Sequence, residues 1–255
     1  MRLDRRDFLG AAAASALLPA GLRAQPVPTI AEYVARNVAA RGGAAALDRV
    51  RSCLIELDIT ERGQTIQGRY AADAAGLVRI DIFAGGNLVY REGVDRQGVW
   101  LWPTSDAAPR PSVAEGAANA LLHGAENHLF GLHRFAERGH RLRLMPAEMI
   151  DGVAYPVIEI VYSTGHISYF YADPATWLFA RRRDERAYHP DADTTRRRVE
   201  TRFSDYQAVD GVLAAHRNVD IDLATGNQLS VNQIRSRTLN PPLPAGLFER
   251  TYVPG

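Results

Sequence analysis

The sequence predicts an α+β, mainly β protein: a single antiparallel sheet of about ten to twelve strands, curled into a half-open barrel with a helical lid. From Cys53 onward, apolar and polar residues alternate with a period of two in run after run, which is typical of half-buried strands. Short turns rich in Gly, Asn and Asp join these runs, as in an up-and-down meander. One Ala- and Leu-rich stretch, 112–137, interrupts them with helical spacing.

The first helix is predicted just after residue 28. Thr29 and Glu32 have the spacing of a capping box, and apolar residues recur at helical intervals from Ile30 to Val38. The Gly42-Gly43 pair ends this helix, and residues 44–50 are predicted to form a second, short one.

Strands are predicted on both sides of the helical insertion. Residues 104–111 form a polar, proline-bounded loop before it, and 112–137 is interpreted as two or three short helices. The predicted strands are 53–60, 66–70, 78–82, 88–93, 99–103, 141–144, 155–162, 167–171, 177–188, 196–206, 213–223 and 229–239.

A sheet of this size must curl, because strands twist and exposed edges promote aggregation. Its apolar concave face then needs a cover, which the N-terminal helix and the helices of 112–137 can supply. We therefore expect an apolar cavity between the sheet and a helical lid.

The residues expected to line that cavity are the inward-facing apolar side chains of the first strands and of the lid. Because aromatic and aliphatic strand residues usually belong to the core, plain packing is the alternative interpretation. The candidate ligand-binding residues are Ile55, Leu57, Ile59, Ile80, Ile82, Tyr90, Trp100, Trp102, Leu122 and Phe130.

Residues 1–24 have the plan of a cleavable export signal. Arg5-Arg6-Asp7-Phe8-Leu9 resembles the twin-arginine motif, and 11–22 is uncharged but too short and too weakly apolar to span a membrane. Cleavage before Gln25 would leave one mature domain, 25–255, in the periplasm. The general secretory route remains the alternative for its export.

Composition narrows the function classes. All 30 basic residues are Arg, which excludes lysine-dependent mechanisms, and the net charge of +1 does not favour nucleic-acid binding. The single Cys53 lies in an apolar strand, where an inert buried thiol is expected. No catalytic motif, metal site or cofactor is predicted. His123, His128 and His133 cannot converge on one unbroken helix and are expected on the surface or the lid.

Two arginine runs, 181–183 and 196–198, flank a polar loop. They predict either a basic hairpin arm that meets anionic lipids or an acidic partner, or a solvated hairpin. We favour the solvated hairpin, because Asp184, Glu185 and Glu200 can balance the arginines across strands.

Several phrases, in order along the chain, mark strand ends and turns. They are Gly42-Gly43 with Leu47, Asp95 with Gly98-Val99-Trp100, Asp151-Gly152, Tyr171-Ala172-Asp173-Pro174, Phe203-Ser204-Asp205-Tyr206 with Val209-Asp210-Gly211-Val212, and Asn240-Pro241-Pro242-Leu243 with Leu247-Phe248. Together with the predicted fold, these phrases in this order make the chain resemble the LolA/LolB-like family of periplasmic lipoprotein carriers and lipid-binding proteins. Leu213-Ala214-Ala215 departs from it, since relatives commonly place a proline there.

The resemblance implies a periplasmic carrier, not an enzyme, that binds a lipid or the acyl chains of a lipoprotein and exchanges them with a membrane-bound donor or acceptor protein. One alternative is a sensor or adaptor that uses the same fold to bind a partner protein, with a cavity closed by large side chains. A second is a hydrolase or isomerase of small apolar substrates, with polar groups of shifted pKa converging in the cavity.

Overall fold

The computed structural model describes residues 28–114 and 116–252, so the predicted export signal lies outside the described residues. The helical segments are α1 (Ile30–Ala40), α2 (Ala44–Leu47), α3 (Ala117–Leu129) and a 3-10 helix (Leu132–Arg134). The strands are β1 (Ser52–Glu61), β2 (Gln64–Asp73), β3 (Val78–Ala84), β4 (Asn87–Asp95), β5 (Gly98–Pro103), β6 (Arg110–Pro111), β7 (Arg141–Ile150), β8 (Val153–Val161), β9 (Ile167–Ala172), β10 (Phe179–His189), β11 (Asp193–Val209), β12 (Val212–Asp222) and β13 (Gln228–Leu239).

Helix α1 begins with the predicted capping box. The Thr29 amide donates to Glu32 Oε2 at 2.7 Å, and the Glu32 amide donates back to Thr29 Oγ1 at 3.2 Å. At its other end, Gly42 has a φ of +112°, and a Cβ there would lie 1.9 Å from the Gly211 carbonyl oxygen. The glycine is therefore required for α1 to reach the turn between β11 and β12.

The strands form one antiparallel sheet in the order β6-β5-β4-β3-β2-β1-β13-β12-β11-β10-β9-β8-β7. Strands β1 and β13 pair at its centre and join two meanders, while β6 and β7 are edges that do not pair with each other. The predicted open, curled sheet is confirmed. One of the thirteen strands was not predicted: the two-residue β6, which lies in the segment predicted as a polar loop.

The helices cover the concave face over two apolar clusters. In the first cluster, Leu121, Ala125 and Leu129 of α3 pack over β1 to β3 and β13 at the spacing of one helical face. The second cluster joins Tyr33 of α1 and Phe135 to strands β8 and β9. The predicted helical cover is therefore confirmed, with α3 as its main element.

The C-terminal segment, residues 244–252, covers part of the convex face. The fully buried Arg79 donates to the carbonyl oxygens of Leu247 and Tyr252 at 3.2 and 3.3 Å. Arg250 binds Asp95 through two hydrogen bonds of 2.7 Å. Within the described ranges, no helix is long and apolar enough to cross a membrane.

Candidate functional site

Strand register decides which side chains reach the concave face, because directly paired antiparallel residues share a face. Ile55 pairs with Tyr70, Tyr70 with Ile80 and Ile80 with Glu92, and this row lies under α3. The predicted lining residues on this face are Ile55, Leu57, Ile59, Ile80, Ile82 and Tyr90. Ile55 is buried beneath α3, and the other five are half-buried.

The expectation that Trp100 and Trp102 line the cavity is corrected by the same register. Trp100 pairs with Gly93 and Trp102 with Arg91, and both pairs lie on the convex face. Trp100 is fully buried there, next to the Arg79 guanidinium. The run of Val99 to Trp102 is apolar on both faces, so its sequence does not distinguish the two.

The two predicted lid residues are both half-buried but differ in their contacts with the apolar clusters. Leu122 of α3 is half-buried and belongs to neither apolar cluster, since Leu121 occupies the sheet-facing position beside it. Phe130 follows the last turn of α3 and packs against both clusters. The Arg138 guanidinium lies 3.7 Å from the centre of its ring.

A cavity of about 480 Å³ opens between the start of α3, the β10–β11 hairpin and the strands β1, β3 and β4. We call it the concave cleft. Ile80 lines one wall, and Arg182, Asp184, Arg186 and Asp220 line the opposite wall. The expected apolar cavity is thereby corrected: the cleft is amphipathic, because β10 to β13 turn polar side chains inward.

Asp184 is the centre of the polar wall. Its carboxylate lies 3.3 Å from Arg182 Nε and 3.6 Å from His166 Nε2, and it also binds Arg186. Burial by itself would raise the pKa of Asp184, but Arg182 and Arg186 outweigh it and hold that pKa well below normal. Asp184 is therefore a carboxylate at neutral pH.

Asp220 organises the hydroxyl groups of the same wall. Thr201 Oγ1 donates to Asp220 Oδ1 at 2.5 Å, and Tyr188 Oη lies 3.2 Å from the second oxygen. Tyr188 Oη is also 2.6 Å from the Ser230 hydroxyl. These hydrogen bonds hold the polar wall in one arrangement. A rigid wall favours selective recognition of one polar ligand group.

Glu92 projects into the cleft beside the aliphatic wall. Tyr90 Oη donates to Glu92 Oε2 at 3.2 Å, and no arginine of the described chain forms an ion pair with this carboxyl. Burial raises the pKa of Glu92, and the Tyr90 hydrogen bond opposes that shift only in part. Glu92 is thus the cleft carboxyl whose charge the fold disfavours.

His123 of α3 closes one end of the cleft. Its ring stacks 3.8 Å from the Tyr162 ring and 4.8 Å from the His166 ring. Burial lowers its pKa to about 3, so the ring is neutral at physiological pH. His128 also lies in α3, whereas His133 lies beyond it and contacts Asp48 at 2.9 Å. Within the described chain, no three His, Cys, Asp or Glu side chains are grouped as metal ligands.

The polar wall was missed by the sequence interpretation. Arg182, Asp184 and Arg186 alternate at spacing two, which is a signal for one shared face, but we assigned the run to a solvated hairpin. The predicted balancing of charge does occur on the convex face, where Glu200 binds Arg181 at 2.8 Å and Arg183 at 2.7 Å. These ion pairs are not solvated as predicted, since Glu200 is only 1% exposed.

A second depression, a groove of about 730 Å³, lies mostly on the convex side of β8 to β11. Tyr169, Tyr171 and Arg183 line it. None of the described helices covers this groove, whereas the concave cleft lies next to α3 and is lined by the half-buried Ile80. We therefore take the concave cleft as the candidate site.

A curled antiparallel sheet with helices on its concave face is the architecture of the LolA-like fold. No family model and no curated protein matches this chain. Among solved structures, it resembles a LolA superfamily protein from Nitrosomonas europaea with 12% identity, a TM-score of 0.57, and coverage of 89% of this chain and 100% of that one. It also resembles a DUF1329 family protein from Desulfovibrio piger with 12% identity, a TM-score of 0.54, and coverage of 85% and 95%. These likenesses establish a LolA-like fold.

Proposed function

We propose that this protein is an exported carrier that binds an amphiphile, either a lipid or the acyl chains of a lipoprotein, in the concave cleft. The observation that carries the proposal is the contrast between the two walls of that cleft. Ile80 lines one wall, with Ile59 and Ile82 half-buried on the same face, and the ordered polar groups around Asp184 line the other. Each methylene buried on the aliphatic wall would contribute about 0.8 kcal/mol.

The first experiment is native mass spectrometry of the mature protein purified from its own periplasm, followed by organic extraction of bound molecules. A lipid or acylated species in near-stoichiometric amount supports the carrier. A clean apo mass, with no uptake of fluorescent fatty-acid or phospholipid probes, contradicts it and favours the sensor or adaptor that binds a partner protein.

A matched pair of variants tests the location. Ile80→Glu places a charge on the aliphatic wall of the cleft, and we expect it to weaken binding of a fluorescent fatty acid by about tenfold or more. Val89→Glu places the same charge on the same hairpin, at an irregular position of β4 that is 37% exposed and does not line the cleft, and it should leave binding unchanged. Equal effects of the two variants would contradict binding in the cleft.

We further propose that residues 1–24 direct export and that 25–255 is the mature domain. Arg5-Arg6 with Phe8-Leu9 supports the twin-arginine route, which carries folded proteins, so a ligand could be loaded before export. Replacing both arginines with lysine should trap the precursor in the cytoplasm. Normal export of that variant would point to the general secretory route.

A hydrolase or isomerase of small apolar substrates is a second candidate, because polar groups with shifted pKa values do converge in the cleft. Asp184 and Asp220 are saturated with partners, which leaves Glu92 as the candidate acid or base. Turnover of small aryl esters that disappears in Glu92→Gln would favour the enzyme. Absence of turnover alongside a bound lipid would favour the carrier.

A further inference from the structure

A second, smaller cavity of about 110 Å³ lies between the C-terminal half of α3 and strands β9 to β13. Three arginines line it: Arg41 from the end of α1, Arg182 from β10 and Arg237 from β13. Arg182 also lines the concave cleft, so the two cavities share one side chain. We call the smaller one the arginine cavity.

The arginines differ in how their charge is balanced. Arg182 Nε lies 3.3 Å from the Asp184 carboxylate. Within the described part of the chain, Arg41 and Arg237 form no ion pair with any carboxylate. Two positive charges therefore face one cavity without an ion-pair partner among the described residues.

The hydrogen bonds of the two arginines go to neutral acceptors. Arg41 donates to the carbonyl oxygens of Phe130 at 3.1 Å and Asn127 at 3.4 Å. Arg237 Nη1 lies 3.3 Å from His128 Nδ1, and Nη2 donates to the Ala215 carbonyl at 3.4 Å. Three of these four contacts are at the long end of the hydrogen-bond range.

Arg41 has a structural role, because it donates to free carbonyl groups at the C-terminal end of α3. Arg237 has none of comparable strength, and its Nε is buried without any hydrogen-bond partner. The Oδ1 of Asn218, which lines the same cavity, is also buried and unpartnered. A half-turn of that amide would direct its NH2 group into the same space.

Holding two half-buried guanidinium groups beside one cavity is unfavourable unless an anion joins them. A guanidinium cannot lose its proton at physiological pH, so it cannot escape the cost of desolvation as a lysine can. Burial lowers the pKa of both Arg41 and Arg237. The positive charge of Arg237 lowers the pKa of Arg41 further, whereas Tyr206 raises it. An anion in the cavity would offset that cost and accept hydrogen bonds from the unpaired N–H groups.

We propose that Arg41 and Arg237, with Arg182 beside them, form a binding site for a phosphate group. The guanidinium fork matches two phosphate oxygens, and the cavity is large enough for a few water molecules or one such ion but not for an acyl chain. The phosphate is either a free ion or the head group of a lipid whose chains occupy the concave cleft. The head-group source rests on the proposed carrier function, whereas the anion site itself does not.

The test begins with calorimetric titration of inorganic phosphate into the purified protein in a phosphate-free buffer. We expect saturable binding and a rise in Tm with phosphate concentration. Arg237→Met should weaken binding by about tenfold or more, as expected for loss of a charge-assisted pair of hydrogen bonds. Wild-type protein that shows neither heat nor a Tm shift would overturn the proposal without recourse to any variant.

The control is Arg235→Met on the same strand, because Arg235 is exposed and lies 3.3 Å from Asp58. It should bind phosphate like the wild type. In phosphate-free buffer, Arg237→Met should be as stable as the wild type or more so, since it removes a half-buried charge that pairs with no carboxylate of the described residues. A lower Tm for Arg237→Met in that buffer, together with unchanged phosphate binding, would assign Arg237 to structural support only and overturn the site.

The source of the phosphate is decided with two short-chain lipids of equal chain length, a phosphatidylglycerol and a diacylglycerol. A head-group site predicts that the phosphatidylglycerol binds about tenfold more tightly in the wild type, that inorganic phosphate competes with it, and that Arg237→Met abolishes the preference. Binding of phosphate but of neither lipid supports a free-anion site and contradicts the carrier. Equal binding of both lipids without phosphate binding supports the carrier and overturns the anion site.

Discussion

At the scale of single residues, Glu92 shows how the fold sets a charge. Its carboxyl lies in the concave cleft, and among the described residues its hydrogen-bond partner is the Tyr90 hydroxyl at 3.2 Å. Burial raises its pKa above the ordinary value of 4.5. Because the folded state then holds a proton that the unfolded chain releases, this residue lowers stability as the pH rises above that value.

We predict that Glu92→Gln is more stable than the wild type at pH 7 and equal to it below about pH 4. The glutamine amide would keep an acceptor for the Tyr90 hydroxyl while removing the buried charge, so the gain should vanish once the wild-type carboxyl is protonated in both states. The measurement is Tm against pH for the two proteins.

The control for this change is Glu56→Gln, because Glu56 lies on the convex side of β1 with its side chain 39% exposed. Its stability difference from the wild type should stay within about 0.5 kcal/mol across the same pH range. If Glu92→Gln proved less stable than the wild type at pH 7, Glu92 would have to be stabilised as a carboxylate in the fold.

At the scale of elements, Gly42 fixes how α1 meets the sheet. A Cβ there would lie 1.9 Å from the Gly211 carbonyl oxygen, at a φ of +112°. We predict that Gly42→Ala lowers the free energy of unfolding by about 2 kcal/mol or more, because it adds a backbone collision to a strained conformation. Urea unfolding measures the change.

Gly63→Ala is the matched control for that prediction. Gly63 has a φ of +78° in the β1–β2 turn, and a Cβ added there would meet no atom within 4 Å. The substitution should cost only the strain of the left-handed conformation, about 1 kcal/mol. Equal losses in the two variants would mean that α1 can shift away from the β11–β12 turn without penalty.

Helix α3 offers a stabilising change at Gly124. The nearest atom to a Cβ at this position would be Tyr70 Oη, at an ordinary contact distance of 3.6 Å. We predict that Gly124→Ala raises the free energy of unfolding by up to about 1 kcal/mol, the difference in helix propensity. A fall in Tm in thermal unfolding would show that the helix needs the glycine for its contact with β2.

At the scale of the whole molecule, the C-terminal segment forms a third layer on the convex face. Deleting 244–255 would uncover Arg79, which donates to two carbonyls of that segment and lies beside the fully buried Trp100. We predict a loss of at least about 2 kcal/mol and a red-shifted tryptophan emission. Arg250→Gln, which removes only the pair with Asp95, should cost less and leave the emission unchanged.

The order of elements was predictable from local patterns. Period-two alternation identified β1 and its successors, and the Thr29–Glu32 box placed the start of α1, because both depend on neighbours in the chain. The two-residue β6 was not predictable, since its pairing with Trp100 and Leu101 depends on the path of the loop before it. The same limit applies to Arg79, whose guanidinium lies beside Trp100 and donates to a segment about 170 residues further along the chain.

By itself, the sequence determined an arginine-rich, lysine-free chain that folds as one long antiparallel meander with a helical insertion, because alternation and turn chemistry are local. Only the tertiary structure decided what fills the concave side. Arg237 joins Arg41 in one cavity, and Asp184 meets Arg186 and His166 beside an aliphatic wall, because a thirteen-stranded sheet curls and brings its two halves under the same helix. Alternation assigns a residue to a face, but curvature decides what lies opposite it.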